Sequence, residues 1–131
     1  MPEKHLFEYA VIRVVPQAER EEFMNVGVTL YCAKQRFLNA IITVDADRLK
    51  AFAPALDIAE MESYLSAFRR ICCAERGSGP IGKLDLASRF RWLTATRSTI
   101  VQSSKIHPGL CNDPQETLER LHRQLVSPNS G

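Results

Sequence analysis

The sequence predicts an α+β fold: an antiparallel four-stranded sheet, built from a three-strand N-terminal meander and one later strand, with helices packed mainly on one face. Three observations predict it. Apolar residues recur with a period of two at Val26, Val28, Leu30 and Cys32 and again at Leu38, Ala40, Ile42 and Val44, which is the period of a half-buried strand. Apolar residues then recur at steps of three and four from residue 58 to residue 72, which is the period of a helix lying on a core. The strand-like segments are bunched at the start instead of alternating with helices, so a parallel sheet with crossover helices is excluded.

Phe7 to Val15 is rich in β-branched and aromatic residues, is apolar on both sides until Arg13, and is stopped by Pro16; it reads as a central strand. Gln17 to Phe23 reads as an acidic helical turn. In the second strand Val26, Val28, Leu30 and Cys32 alternate with Asn25, Gly27, Thr29 and Tyr31. The turn Ala33-Lys34-Gln35-Arg36 joins it to a third strand, Phe37 to Val44, as a hairpin.

Asp57-Ile58-Ala59-Glu60 has the spacing of an N-terminal capping box. Ile58, Met61, Leu65, Phe68 and Cys72 extend it as one apolar stripe, and Gly77 offers the left-handed stop. Gly77 to Gly82 is a loop by composition, a lid or merely a connector. Leu84 to Leu93 reads as a short helix carrying Leu86, Phe90 and Leu93 inward, Ser98 to Ser104 as the fourth strand, and His107-Pro108-Gly109 as a turn. Asp113-Pro114 opens the last helix with a cap and a proline at the first helical position; Leu118, Leu121 and Leu125 lie on one side of it. Residues 1–126 form one domain by this reading, and Ser127 to Gly131 a disordered tail.

The chain has 131 residues, 45% of them apolar and 24% charged, ordinary values for one globular domain. The start, Met1-Pro2-Glu3-Lys4-His5, leads into an apolar run broken by Glu8 and Arg13. That pattern fits neither a signal peptide nor a membrane span and predicts a cytoplasmic protein. Cys32, Cys72, Cys73 and Cys111 have neither zinc spacing nor the pattern of a disulfide framework; they read as free thiols, Cys72 on the buried stripe. No cofactor is expected.

A Tyr-x-x-x-Arg strand at Tyr9 and Arg13 is followed by Glu22-Phe23-Met24-Asn25-Val26-Gly27-Val28, then Arg89-Phe90-x-Trp92-Leu93, Arg97-Ser98-Thr99, Gln102 and His107. With these motifs the chain resembles domain-of-unknown-function family 3037, a family of bacterial proteins, from about Phe7 to Val126. The resemblance implies no established activity, and it implies a partner with a kinase-like fold of the HipA type.

The net charge of +2 hides an asymmetry. Residues 69–105 alone carry +6, from Arg69, Arg70, Arg76, Lys83, Arg89, Arg91, Arg97 and Lys105 against Glu75 and Asp85. Arginine suits bidentate contact with phosphate or carboxylate, so an acidic partner is one reading. The other is structural: Arg69, Arg70 and Arg76 lie near a helix C-terminus, where cations favour the dipole.

Glu22, Asn25, Gly27 and Thr29 mark the outer face of strand two as a candidate site, since glycine within a strand often marks a bulge or a close approach. Structurally, Asn25 would cap the turn before the strand, Gly27 would relieve crowding against Trp92 or Tyr9, and Glu22 would pair with an arginine. The candidate binding set is Arg13, Glu22, Asn25, Gly27, Arg89, Trp92, Arg97, Gln102 and His107. A catalytic version takes Glu22 as base, His107 as acid and Arg97 as charge stabiliser, with nothing in the spacing to bring them together. Asp45 and Asp47 could offer carboxylates to a metal, but Asp45 is placed to cap a helix; no metal site is expected.

Two functions compete. One is a non-catalytic module that binds another protein, kinase-like by the resemblance, through the half-polar sheet face and the arginine segment. The other is a nucleic-acid or nucleotide-phosphate binder in which the arginines meet phosphates and Trp92, Tyr9 or Tyr31 stacks on a base. A membrane partner is not expected, and a homodimer is compatible with the sequence.

Overall fold

Strand β1 (His5–Val14) is the centre of the sheet, and the computed structural model, which describes residues 4–16, 22–95, 97 and 99–126, shows why. One edge of β1 pairs antiparallel with β2 (Met24–Cys32), which pairs in turn with β3 (Phe37–Ile42). The other edge is shared: β4 (Val101–Ser103) lies opposite Ile12 to Val14, and β5 (His107–Cys111) lies opposite His5 to Tyr9. The fold class is the expected one, with five strands in place of four.

Strand alternation sends the two faces of β1 and β2 to different cores. Phe7, Val28, Leu30 and Cys32 pack with Leu118 and Leu121 of the last helix, α4 (Pro114–Leu125). Ile12, Val14 and Val26 pack with Leu49 of α1 (Ala46–Phe52), with Met61, Leu65, Phe68 and Cys72 of α2 (Ile58–Cys72), and with Leu93 of α3 (Leu86–Thr94). Three helices therefore share one face and α4 takes the other. Ile12, Leu30 and Leu118 are each at 0% exposure, and burying a side chain of this size stabilises by roughly 2 kcal/mol.

Each helix begins where an aspartate satisfies free backbone N–H groups. Asp45 accepts from the Arg48 amide at 3.1 Å, Asp57 from Glu60 at 3.0 Å, Asp85 from Ser88 at 2.7 Å, and Asp113 from Gln115 at 3.0 Å and Glu116 at 3.3 Å. The capping role expected of Asp45 thus holds. All four cysteines are free, with Cys72 at 0% exposure on the stripe.

Several local expectations are corrected. Helix α2 is not stopped by Gly77: Ala74 takes the left-handed conformation at φ 53°. The Glu75 amide bonds the Arg70 carbonyl at 2.8 Å and the Ala74 amide bonds Ile71 at 3.2 Å; these are the two bonds of a Schellman motif. His107-Pro108-Gly109 is not a turn but the start of β5. Pro108 is tolerated because β5 is an edge strand, and Gly109 is required because a Cβ there would sit 2.5 Å from Cζ of Phe7. Strand β3 ends at Ile42, two residues before Val44, and β4 is shorter than Ser98 to Ser104. The acidic turn at Gln17 to Glu21, Ser98, and the tail Ser127 to Gly131 lie outside the described residues.

The outer face expected of strand two is not outer. Gly27 and Thr29 are buried under α2 and α3, and the Thr29 hydroxyl donates to the Asn39 carbonyl at 3.1 Å. The expected bulge is present, between Ile12 and Arg13 opposite Gly27. Crowding at Gly27 comes from the Ile41 carbonyl, 2.7 Å from a built Cβ, and from Ile12 and Ile42, not from Trp92 or Tyr9. The turn expected to be capped by Asn25 lies outside the described residues; Asn25 Nδ2 donates to the Leu125 carbonyl at 3.0 Å and ties the end of α4 to the sheet.

Among the described residues no helix is long and apolar enough to cross a membrane.

Candidate functional site

One free edge of the sheet is formed by β4. The Ser104 amide donates to the Val11 carbonyl at 2.9 Å and the Val15 amide to Ile100 at 2.7 Å. With Gln102 in register opposite Arg13, the alternation of an antiparallel ladder turns the backbone groups of Gln102 toward β1 and those of Val101 and Ser103 away from it. The Val101 carbonyl accepts the Thr99 hydroxyl at 2.6 Å. Among the described residues no strand lies beyond β4.

Beside this edge, residues of α2, α3 and β4 line a groove of about 150 Å³. Phe68, Ile71, Leu93 and Val101 are its buried floor; Tyr64, Trp92 and Arg97 stand at its rim. Tyr64 and Trp92 are 40% and 38% exposed, where aromatic rings of their size are usually covered. Tyr64 falls one position before Leu65 of the buried stripe, so helical periodicity turns it out of the core.

Among the described residues Arg97 is the one charged residue in the lining. Its guanidinium lies 3.9 Å from the centre of the Trp92 ring, a cation–π contact. It also donates to the Leu93 carbonyl at 3.4 Å and to the Trp92 carbonyl, at the C-terminal end of α3 where a cation is favoured. Burial pulls its pKa below the usual arginine value. Two of five N–H donors are engaged in these bonds, and three have no partner among the described residues.

A second cavity, about 310 Å³, is lined by Pro16, Phe52, Leu56 and Ile100 with the carboxylates of Glu22, Asp57 and Glu60. Asp57 is already committed as the cap of α2.

The structure brings together two subsets of the expected site residues. Trp92, Arg97 and Gln102 line the groove. Asn25, Arg13 and Gln102 stand in one row across β2, β1 and β4. In that row Arg13 lies 4.1 Å over the Phe23 ring, and Gln102 donates to the Thr99 carbonyl at 2.9 Å. Arg13 Nε and Asn25 Oδ1 are buried with no hydrogen-bond partner among the described residues.

The other residues fall elsewhere. Glu22 lines the acidic cavity, and His107 stacks against Tyr9 at 5.2 Å between ring centres. The set of Glu22, His107 and Arg97 is therefore distributed over three different surroundings. Arg89 is buried: Nη1 reaches the Gly82 and Leu84 carbonyls at 3.4 Å each, and Nε is unpartnered among the described residues. It braces the loop before α3 instead of facing solvent. Sequence reasoning missed Tyr64, Thr99 and Ser103. An aromatic beside the apolar stripe was a readable signal for the first; the other two join the groove only through the pairing of β4 with β1.

At the end of α2, hydrogen bonding to Cys72 lowers the exposed Cys73 thiol to about 6. The same bond, together with burial, pushes Cys72 up.

No curated protein and no solved structure matches the chain. A family model described as "Protein of unknown function (DUF3037)" does match, over residues 9–126, which takes in every strand but the first four residues of β1, all four helices and the whole groove; the chain belongs to that family.

Proposed function

We propose that the protein is a non-catalytic interaction module that holds another protein along the edge of β4. The observation that carries this reading is the union of outward-facing strand backbone with an apolar groove rimmed by exposed Tyr64 and Trp92. Unpaired strand edges template pairing with a further chain, and partly exposed aromatics supply the buried centre that protein interfaces need. The kinase-like protein implied by the family resemblance is the first partner to test.

The nucleic-acid reading has less support. The basic residues of segment 69–105 do not form one surface: Arg69 and Arg70 are on the last turn of α2, Arg70 by the glycine loop with Arg76 and Lys83, whereas Arg89 is buried and Arg97 lies in the groove. A phosphate backbone needs a continuous basic track.

A photo-crosslinking side chain placed at Tyr64, with one at the exposed Gln124 of α4 as control, tests the reading. The expected result is one protein adduct from position 64, formed at moderate salt and absent from position 124. Equal adducts from both positions, or recovery of nucleic acid alone with binding that collapses as salt rises, would overturn it.

A further inference from the structure

We infer that the occupant of the groove is the C-terminal end of a partner chain, added as an extended segment antiparallel to β4, with its terminal carboxylate on Arg97 and its last apolar side chain beside Trp92. This rests on the interaction reading above and specifies its partner.

Direction and charge together select a chain end. Arg97 and Thr99 precede β4 in sequence and border the groove at the N-terminal side of the strand. A segment added antiparallel runs toward that side and finishes at Arg97. A segment added parallel would bring its N-terminal ammonium toward the same guanidinium, and like charges repel. Among the described residues the groove lining contains a cation and no carboxylate, so the complementary group is an anion. Three N–H donors of Arg97 have no partner among the described residues, enough for the paired contact that arginine makes with carboxylates. Strand addition joined to capture of a terminal carboxylate is an established physical mode of peptide recognition.

The dimensions agree. Strand β4 has three residues, so its outer edge offers only a few backbone bonds, suited to a short segment. The cavity of about 150 Å³ takes one large apolar side chain. Val101 and Ser103 point their side chains to the groove, on the same face as Ile12 and Val14 opposite them. Alternate side chains of an added strand fall on that face too. A chain that continued past its contact with Arg97 would have to cross the stack of Arg97 on Trp92; a chain end does not.

The test uses two phage libraries of random heptapeptides, one with free C-termini and one with the same segment held internally. Binding of the selected peptides, made as free acid and as amide, is read from the fluorescence of Trp92, the single tryptophan. The expected result is selection from the free library of peptides ending in a large apolar residue, with the acid binding about tenfold or more tightly than the amide, the scale of a charge-assisted hydrogen bond. Arg97→Gln should abolish the difference, and Arg97→Lys, which keeps the charge, should retain part of it. Ser103→Pro, which removes an outward N–H but none facing β1, should weaken acid and amide alike. Equal binding of acid and amide, selection from the internal library only, or no groove-dependent selection overturns the inference. In those cases a crosslink that persists from position 64 leaves the interaction reading standing, and loss of that crosslink removes both. Dimerisation that a selected peptide reverses would identify a second copy as the occupant and also overturn it.

Discussion

The two sides of β1 are treated differently. On the β2 side the sheet extends through two further strands and is closed by α4, whose Leu118 and Leu121 lie on Val28, Leu30 and Cys32. On the other side β1 meets only the three residues of β4 and the five of β5, and α2 and α3 leave a groove where Tyr64 and Trp92 stay exposed. The sealed side concentrates stability and the open side concentrates available surface. A domain that must both fold and bind is expected to separate them, because residues kept exposed for a partner contribute little burial to the fold.

The largest effect expected from this contrast is Leu118→Ala, which should cost about 3 kcal/mol by leaving a cavity under α4. Tyr64→Ser on the open side should stay within about 0.5 kcal/mol. Urea unfolding of the two variants checks it, and equal losses would break the comparison. Next comes Gly27→Ala, where the new Cβ meets the Ile41 carbonyl at 2.7 Å; two neighbouring strands must shift, at a cost of about 1–3 kcal/mol. Unchanged stability there would mean that the sheet centre yields more readily than a closed packing allows. Smallest is Ala74→Gly, which relieves a non-glycine residue at φ 53° and should stabilise by about 0.5–1 kcal/mol. A raised thermal midpoint would show that the α2 terminus, where Cys73 meets Asn39 of β3, is a strained point on the otherwise closed side; a lowered one would contradict it.

Legibility followed the range of the interactions. The caps at Asp57 and Asp113 were readable because a cap bonds amides two or three residues away. The α2 stripe was readable because neighbours on a helix face are three or four apart in sequence. Of the candidate site, Trp92, Arg97 and Gln102 came from the family motifs, and the structure places them in one groove. Glu22, Arg89 and His107 came with them and lie elsewhere, because a motif preserves order along the chain and not convergence in space. The misreadings share one cause. His107-Pro108-Gly109 has turn composition, yet Pro108 serves on an edge and Gly109 makes room for the Phe7 ring. Gly77 has the composition of a helix stop, yet Ala74 is held left-handed by the Schellman bonds.

The sequence by itself determined the α+β class, the β2–β3 hairpin, the helices and their caps, and the free thiols, since each rests on periodicity, local backbone chemistry or residue spacing. Only the tertiary structure decided that β4 and β5 divide one edge of β1, that α2 and α3 cover the face taken for an outer one, and that Tyr64, Trp92, Arg97 and Ser103 border a single groove. These features depend on register between segments as distant in sequence as His5 and Cys111, paired across β1 and β5, or Val11 and Ser104, joined amide to hydroxyl. Such register is set by the joint packing of all the elements and not by any one segment.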